Sequence, residues 1–285
     1  MSQAPFINLD GDLFPSQQAV IHAQNRSFRY GDGLFETMRM VNGKIYWEEN
    51  HFERLFTGLA KLHFELPVHF TQKMISEEVA RLSRKNGHDA CARIRLTLFR
   101  GQGGLFDPEN LKPHFLIESW EMQQQETPLN INGLDIDVFL HGRKASDEYS
   151  NLKTNNGLLY AMAAIFAKEK RLNDAIVLNN SERICESSIA NIFIIRNRTV
   201  FTPPLSEACV AGVCRKEIIA FMKQQGKPVT EQPIPVEDLW LADEIFLTNA
   251  IRGIRWVKSV GTHVCHQQEI AELAQIFHKE NLFCA

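Results

Sequence analysis

Apolar positions recur along this chain in two rhythms. Phe52, Leu55, Phe56 and Leu59 fall at i, i+3, i+4 and i+7, the spacing of one helix face. On that predicted helix His51 and Arg54 are three apart and project from neighbouring positions. Residues 92–99 and 114–119 instead read as strands, joined by a loop containing Gly101, Gly103 and Gly104. Ile7-Asn8-Leu9 followed by Asp10-Gly11-Asp12 predicts the start of a hairpin. Gly43 marks a second turn, between Met38-Arg39-Met40-Val41 and Lys44-Ile45-Tyr46-Trp47. The first half thus reads as strands, a helix, another helix and more strands.

The second half mixes both rhythms again. Leu158, Met162, Ile165 and Phe166 mark a helix just after Lys153. Residues 175–178 and 192–195 are continuous apolar runs and predict buried strands. Gly212 precedes a helix with Ile218, Phe221 and Met222 on one face, closed by Gly226 and Lys227-Pro228. Residues 244–248 read as a strand entering a turn at Asn249-Ala250. The polar stretch Gln123-Gln124-Gln125-Glu126-Thr127-Pro128 separates the halves. The expectation is an α+β (mixed α/β) protein with an N-terminal domain over 1–122, a linker over 123–128 and a C-terminal domain over 129–285.

Composition narrows the picture. The 285 residues suffice for two domains with real cores. A net charge of -3 leaves no polyanion-binding footprint, so nucleic acid is not an expected partner. No apolar run approaches the roughly 18 residues of a membrane span. No basic start followed by an apolar core opens the chain. The six cysteines are scattered, without a CxxC pair, and fit a reducing cytoplasm better than a disulfide framework. In that compartment the three Asn-x-Ser/Thr patterns carry no meaning. His263-Val264-Cys265-His266 is one tight cluster without a distant second pair, so no metal site is expected. Gly101-Gln102-Gly103-Gly104 lacks the lysine of a phosphate-binding P-loop and reads as a flexible loop over an active site. The basic residues Arg84-Lys85, Lys168, Lys170 and Arg171 read as solvated helix faces.

The most informative stretch runs from Glu186-Ser187-Ser188-Ile189-Ala190-Asn191-Ile192-Phe193 through Val200-Phe201-Thr202 to Val210-Ala211-Gly212-Val213-Cys214-Arg215. It has a Glu, an Asn five residues later, an aromatic, a Thr after a strand, then a small residue and a basic one. This resembles the long signature of the class IV aminotransferases. Tyr30-Gly31-Asp32-Gly33-Leu34-Phe35-Glu36-Thr37 looks like that family's N-terminal motif. His51-Phe52-Glu53-Arg54-Leu55 looks like its phosphate-arginine helix, and Lys153-Thr154-Asn155-Asn156 like the segment with its cofactor lysine. The resemblance spans nearly the whole chain, in the family's order.

The resemblance implies a two-domain, fold-type IV enzyme with pyridoxal 5'-phosphate between the domains. Lys153 would link covalently to the cofactor, because that chemistry needs an amine. Once displaced, the same amine would move a proton between the substrate Cα and the cofactor C4′. Glu186 would keep the pyridine nitrogen protonated, so that the ring can act as an electron sink. Arg54 can give the phosphate a charge-assisted bidentate contact. Gly212, Val213 and Cys214 would offer backbone N–H groups at a helix start, with Asn249 and Ala250 closing the phosphate cup. Many relatives carry Thr where this chain has Cys214, so a hydroxyl contact is lost. Tyr30, Arg93 and Arg95 would face the substrate; Arg93 and Arg95 share one strand face, where relatives often present a basic residue to a substrate carboxylate. A homodimer is implied, with loops of the second subunit closing the site.

Within the family the implied activity divides. Branched-chain enzymes usually carry Tyr five residues after the lysine, where this chain has Leu158. D-amino acid enzymes trap a carboxylate with an Arg and a His in the loop after the Arg-Gly pair, and here Arg100-Gly101 leads to neither before Pro113. Arg100-Gly101-Gln102-Gly103-Gly104, Thr248-Asn249-Ala250 and Asn156 look more like 4-amino-4-deoxychorismate lyases, although Phe28 stands where some lyases have a Thr. A transaminase acting on an amino acid and a 2-oxo acid is the main expectation. The alternative is the lyase, which releases pyruvate and p-aminobenzoate. Intact Lys153, Glu186 and Arg54 argue against a non-catalytic relative.

Overall fold

A computed structural model describes residues 5–123 and 129–280. Most of the predicted linker, and Cys284, lie outside the described residues. The chain divides into two compact units: residues 1–124 with 152–157, and residues 125–151 with 158–285.

In the first unit, β1 (Phe6–Leu9) and β2 (Asp12–Pro15) form the predicted hairpin. A short helix α1 (Arg26–Tyr30) ends at Gly31 and leads into β3 (Gly33–Val41) and β4 (Lys44–Ile45). Helices α2 (Glu48–Lys61) and α3 (Gln72–Asn86) follow, then β5 (Cys91–Arg100) and β6 (Pro113–Glu121). The strands form one antiparallel sheet in the order β2-β1-β6-β5-β3-β4. Alternation decides its two faces. Leu34, Met38, Ile94, Leu96 and Ile117 join Phe52, Leu55 and Leu59 of α2 and Ile75 and Val79 of α3 in one core. Phe35, Thr37, Arg93, Arg95 and Thr97 occupy the other face and are only half-buried.

The second unit is a nine-stranded sheet. Its elements are β7 (Leu134–Lys144), α4 (Leu158–Glu169), β8 (Asp174–Asn179), β9 (Ile184–Ser187), β10 (Asn191–Arg196), β11 (Thr199–Thr202), α5 (Val213–Gln224), β12 (Thr230–Glu231), β13 (Glu244–Asn249), β14 (Gly253–Val260), β15 (His263–Val264) and α6 (Gln268–Glu280). The strand path is β12-β11-β10-β13-β14-β7-β8-β9, with β15 against β14. The runs at 175–178 and 192–195 are buried strands, as their continuous apolar character predicts. In α4 the buried residues are Ala163 and Ala167, while Leu158, Met162 and Ile165 are exposed. Of the four residues that mark this helix in the sequence, Phe166 packs toward the sheet, beside Leu159 and Tyr160, and the other three face outward.

One difference bears on function. Lys153 was expected within the C-terminal domain, yet residues 152–157 pack with the first unit. The reason is backbone pairing. Phe35 donates its N–H to the Lys153 carbonyl at 2.9 Å, and Asn155 donates to the Gly33 carbonyl at 3.0 Å, across an isolated antiparallel bridge between Leu34 and Thr154.

Candidate active site

In the first unit the lysine segment is held from several sides. The Asn155 amide donates to Ser27 Oγ at 2.8 Å and to the Leu98 carbonyl at 3.2 Å. Gly33 makes this approach possible: a Cβ there would stand 2.1 Å from the Leu98 carbonyl oxygen and 2.6 Å from Asn155 Nδ2, and its φ is +154°. With its backbone pinned beside β3, Lys153 lays its Nζ 4.4 Å from the centre of the Phe35 ring. The guanidinium of Arg95 lies 4.0 Å from the same ring. Lys153 and Arg95 thus share the open face of the sheet, and Arg93 joins them there, stacked 5.0 Å over Trp120. Burial lowers the pKa of Arg95, opposed by Glu118 and assisted by Arg93.

Arg54 meets β3 from the helix side. Its Nε and Nη2 reach the two carboxylate oxygens of Glu36 at 2.8 and 2.5 Å, and His51 Nδ1 lies 2.7 Å from Glu36 Oε2. Glu36 and His51 are buried. Burial alone would raise the Glu36 carboxyl, but Arg54 and His51 together hold it down at about 2. The bidentate edge of Arg54 is thus engaged by Glu36, and a phosphate would have to meet another edge of the guanidinium. Sequence reasoning noted the His51–Arg54 spacing and missed Glu36; a charged residue on the core-facing phase of β3 was the available signal.

Tyr30 ends α1 and lines an open cleft of about 450 Å³ with Arg26, Asp32, Arg100 and Phe106. The Tyr30 and Phe106 rings stand 5.2 Å apart. Arg26, buried, donates to Asp32 and to the carbonyls of Gly103, Leu105 and Phe106, so the glycine-rich loop is tied down by one side chain. This loop, whose glycines read as flexible in the sequence, has a defined anchor in Arg26.

In the second unit Glu186 of β9 is buried and three groups converge on it. Lys144 Nζ and the Tyr160 hydroxyl each lie 2.6 Å from Oε1, and the Val210 N–H donates to Oε2 at 3.0 Å. The adjoining loop is fixed by Asn151, whose amide donates to the Leu205 and Cys209 carbonyls at 2.8 and 2.7 Å. Lys144 and Tyr160 carry no sequence motif and were missed.

Gly212 is the N-cap of α5 and offers no side-chain cap, which leaves the first-turn N–H groups of Val213 and Cys214 to be met from outside the helix. A Cβ on Gly212 would fall 1.8 Å from Asn191 Oδ1, so the backbone here approaches as only glycine permits. The Cys214 thiol is buried and burial pushes its pKa up, so its side chain points into the core and only its backbone is placed for a ligand. Asn249 uses its side-chain oxygen on the Ile251 and Arg252 N–H groups at 3.1 and 2.9 Å, building the turn through Ala250. The preceding Thr248 pairs in register with Asn191, and its buried hydroxyl has no hydrogen-bond partner among the described residues. Gly212, Asn191 and Thr248 thus form one neighbourhood, with an uncapped helix start and an orphaned hydroxyl. These are the donors a phosphate ester takes. The donor set fits a cofactor phosphate.

No group of three or more His, Cys, Asp or Glu side chains among the described residues could hold a metal ion. No described helix is long and apolar enough to cross a membrane.

The six-stranded sheet of one unit and the nine-stranded sheet of the other, each with its own helices, are those of a fold-type IV aminotransferase. The family model for amino-transferase class IV matches residues 33–260, and the chain belongs to that family. It is similar to a putative branched-chain-amino-acid aminotransferase of Methanocaldococcus jannaschii, 28% identical over 94% of this chain and 92% of the relative. It is also similar to the aminodeoxychorismate lyase of Vibrio harveyi, 26% identical over 83% of this chain and 86% of the relative. Among solved structures, the branched-chain aminotransferase of Thermoproteus uzoniensis with norvaline superposes at a TM-score of 0.86, with 25% identity over 98% of this chain and 95% of that one.

Proposed function

We propose that this enzyme transfers an amino group between an amino acid and a 2-oxo acid, using pyridoxal 5'-phosphate. The observation that carries this reading is the sharing of Phe35 by Lys153 Nζ and the Arg95 guanidinium on one sheet face. A transaminase needs an amine at the reacting carbon and a cation for a carboxylate a short distance away.

Bound pyridoxal phosphate supplies the electron sink that makes the substrate Cα–H bond acidic. Every other task falls to the chain. Lys153 would hold the cofactor covalently, and its amine, once freed, would move the proton at the substrate Cα. Glu186, buried and hydrogen-bonded by Lys144, Tyr160 and Val210, presents its carboxylate to the pyridine nitrogen. Arg54, the backbone of Gly212, Val213 and Cys214, and the Asn249–Ala250 turn receive the phosphate, with the Thr248 hydroxyl as a further donor. Arg95 and Arg93 take the substrate carboxylate, and Tyr30 shapes the approach to the site. The enzyme works as a homodimer, which light scattering tests. Among the described residues, five buried, free thiols suit the reducing cytoplasm.

The test is half-transamination. Protein loaded with pyridoxal phosphate is mixed with single amino acids, without a 2-oxo acid, and the visible cofactor band is followed. Conversion to the pyridoxamine phosphate spectrum by leucine, D-alanine or another amino acid supports the reading and names the substrate class.

A second reading keeps the same residues and changes the substrate. Leu158, where branched-chain enzymes carry Tyr, is exposed, and the Arg100–Gly104 loop and Asn156 have lyase character. If no amino acid shifts the band, pyruvate release from 4-amino-4-deoxychorismate tests that alternative.

A further inference from the structure

In the second unit, two side chains that no motif marks close on one oxygen of Glu186. The Lys144 ammonium and the Tyr160 hydroxyl each stand 2.6 Å from Oε1, while the Val210 N–H donates to Oε2 at 3.0 Å. An ionised carboxylate offers about four acceptor sites, two on each oxygen. Among the described residues these donors take both sites of Oε1 and one of Oε2, which directs a further donor to Oε2.

The two partners of Oε1 differ in what they can fix. Lys144 carries rotatable donors on a flexible stem and can follow the carboxylate as it turns. Tyr160 cannot follow. It lies in the first turn of α4 and packs against the core of Phe139, Ala163 and Val177, so its hydroxyl has one place on the sheet. Lys144 Nζ also lies 5.4 Å from the centre of the Tyr160 ring. Burial and the Glu186 carboxylate hold the Tyr160 phenol far above its ordinary range, so it stays protonated and donates.

We propose that Tyr160 is a positioning residue, whose hydroxyl fixes the rotation of the Glu186 carboxylate and so presents Oε2 to the ring nitrogen of the cofactor. The inference rests on the reading that Glu186 takes that nitrogen. With Oε1 held by a rigid donor, Oε2 has its place before the cofactor arrives, and no side chain has to be ordered to make the contact. Without the hydroxyl, Lys144 and Val210 still hold the carboxylate, but the last torsion of a Glu side chain is soft and the contact weakens.

The test titrates full-length protein, freed of cofactor, with pyridoxal phosphate and with its 1-deaza analogue, in which C–H replaces the ring nitrogen. Both carry the same aldehyde and phosphate, so the ratio of their affinities reads the contact at the ring nitrogen. Tyr160→Phe removes the hydroxyl and keeps the ring. It is expected to lower the preference for pyridoxal phosphate about tenfold, as for one hydrogen bond to a charged group, while binding of the analogue changes by less than about twofold. Equal losses for both cofactors would make Tyr160 a structural residue only and overturn the proposal, as would an unchanged ratio. A wild-type protein with no preference between the two would instead remove Glu186 from the ring nitrogen, and the proposal with it. No amino acid is involved, so failure of half-transamination bears on the substrate and leaves this result standing.

Discussion

Lys144 Nζ lies 2.6 Å from Glu186 Oε1, an ion pair between side chains that are 12% and 4% exposed. The carboxylate assigned to the cofactor's ring nitrogen is therefore a fixed, countercharged group. Burial of such a pair is costly, and the cost is recovered only when every oxygen is satisfied. Here Tyr160 and the Val210 N–H complete the set.

Removing one partner should expose that cost. Lys144→Met is expected to destabilise the protein by about 3–5 kcal/mol, the range for a broken buried pair. The double variant Lys144→Met/Glu186→Gln should lose less than the sum of the single losses. Urea unfolding of the three variants measures this; strict additivity would mean that the pair is not coupled.

Lys153→Ala should abolish the visible band of the bound cofactor and lower turnover by at least about 10²–10⁴-fold, the share carried by positioned proton transfer. A variant that keeps the band would place the covalent link on another amine.

Glu36 gives the protein an acid limb. Its folded pKa, about 2, lies below the ordinary value of 4.5. A depressed carboxyl contributes stability that is present above pH 4.5 and lost as pH falls through about 2. The difference corresponds to roughly 3 kcal/mol. Glu36→Gln should flatten the stability-versus-pH curve across that window. An unchanged slope in the variant would assign the acid limb elsewhere.

Gly33→Ala tests the lysine clamp. The added methyl would meet the Leu98 carbonyl oxygen at 2.1 Å, a backbone atom that cannot move aside cheaply. A loss of about 1–3 kcal/mol is expected from overpacking, along with weaker cofactor binding, because Gly33 accepts the Asn155 N–H. Thermal unfolding and cofactor titration read the two effects separately.

Much of this was legible along the chain. The Phe52–Leu55–Phe56–Leu59 spacing predicts α2, residues 92–99 and 114–119 read as β5 and β6 with Arg93 and Arg95 on one face, and Lys153, Glu186 and Gly212 stand in linear motifs that resemble one family. These features report on neighbours within a turn or a strand, or on motifs that keep their order. Which groups meet across the fold is a different matter, decided by sheet order and register. Asn155 reaches Ser27 across 128 positions and Lys144 reaches Glu186 across 42, and no local pattern encodes either distance. Tertiary pairing alone moved the lysine segment onto β3, gave Arg54 its Glu36 partner and set Glu118 opposite Arg95. Periodicity fixes what a residue's own element does with it, and only the packed sheets determine the charge it faces.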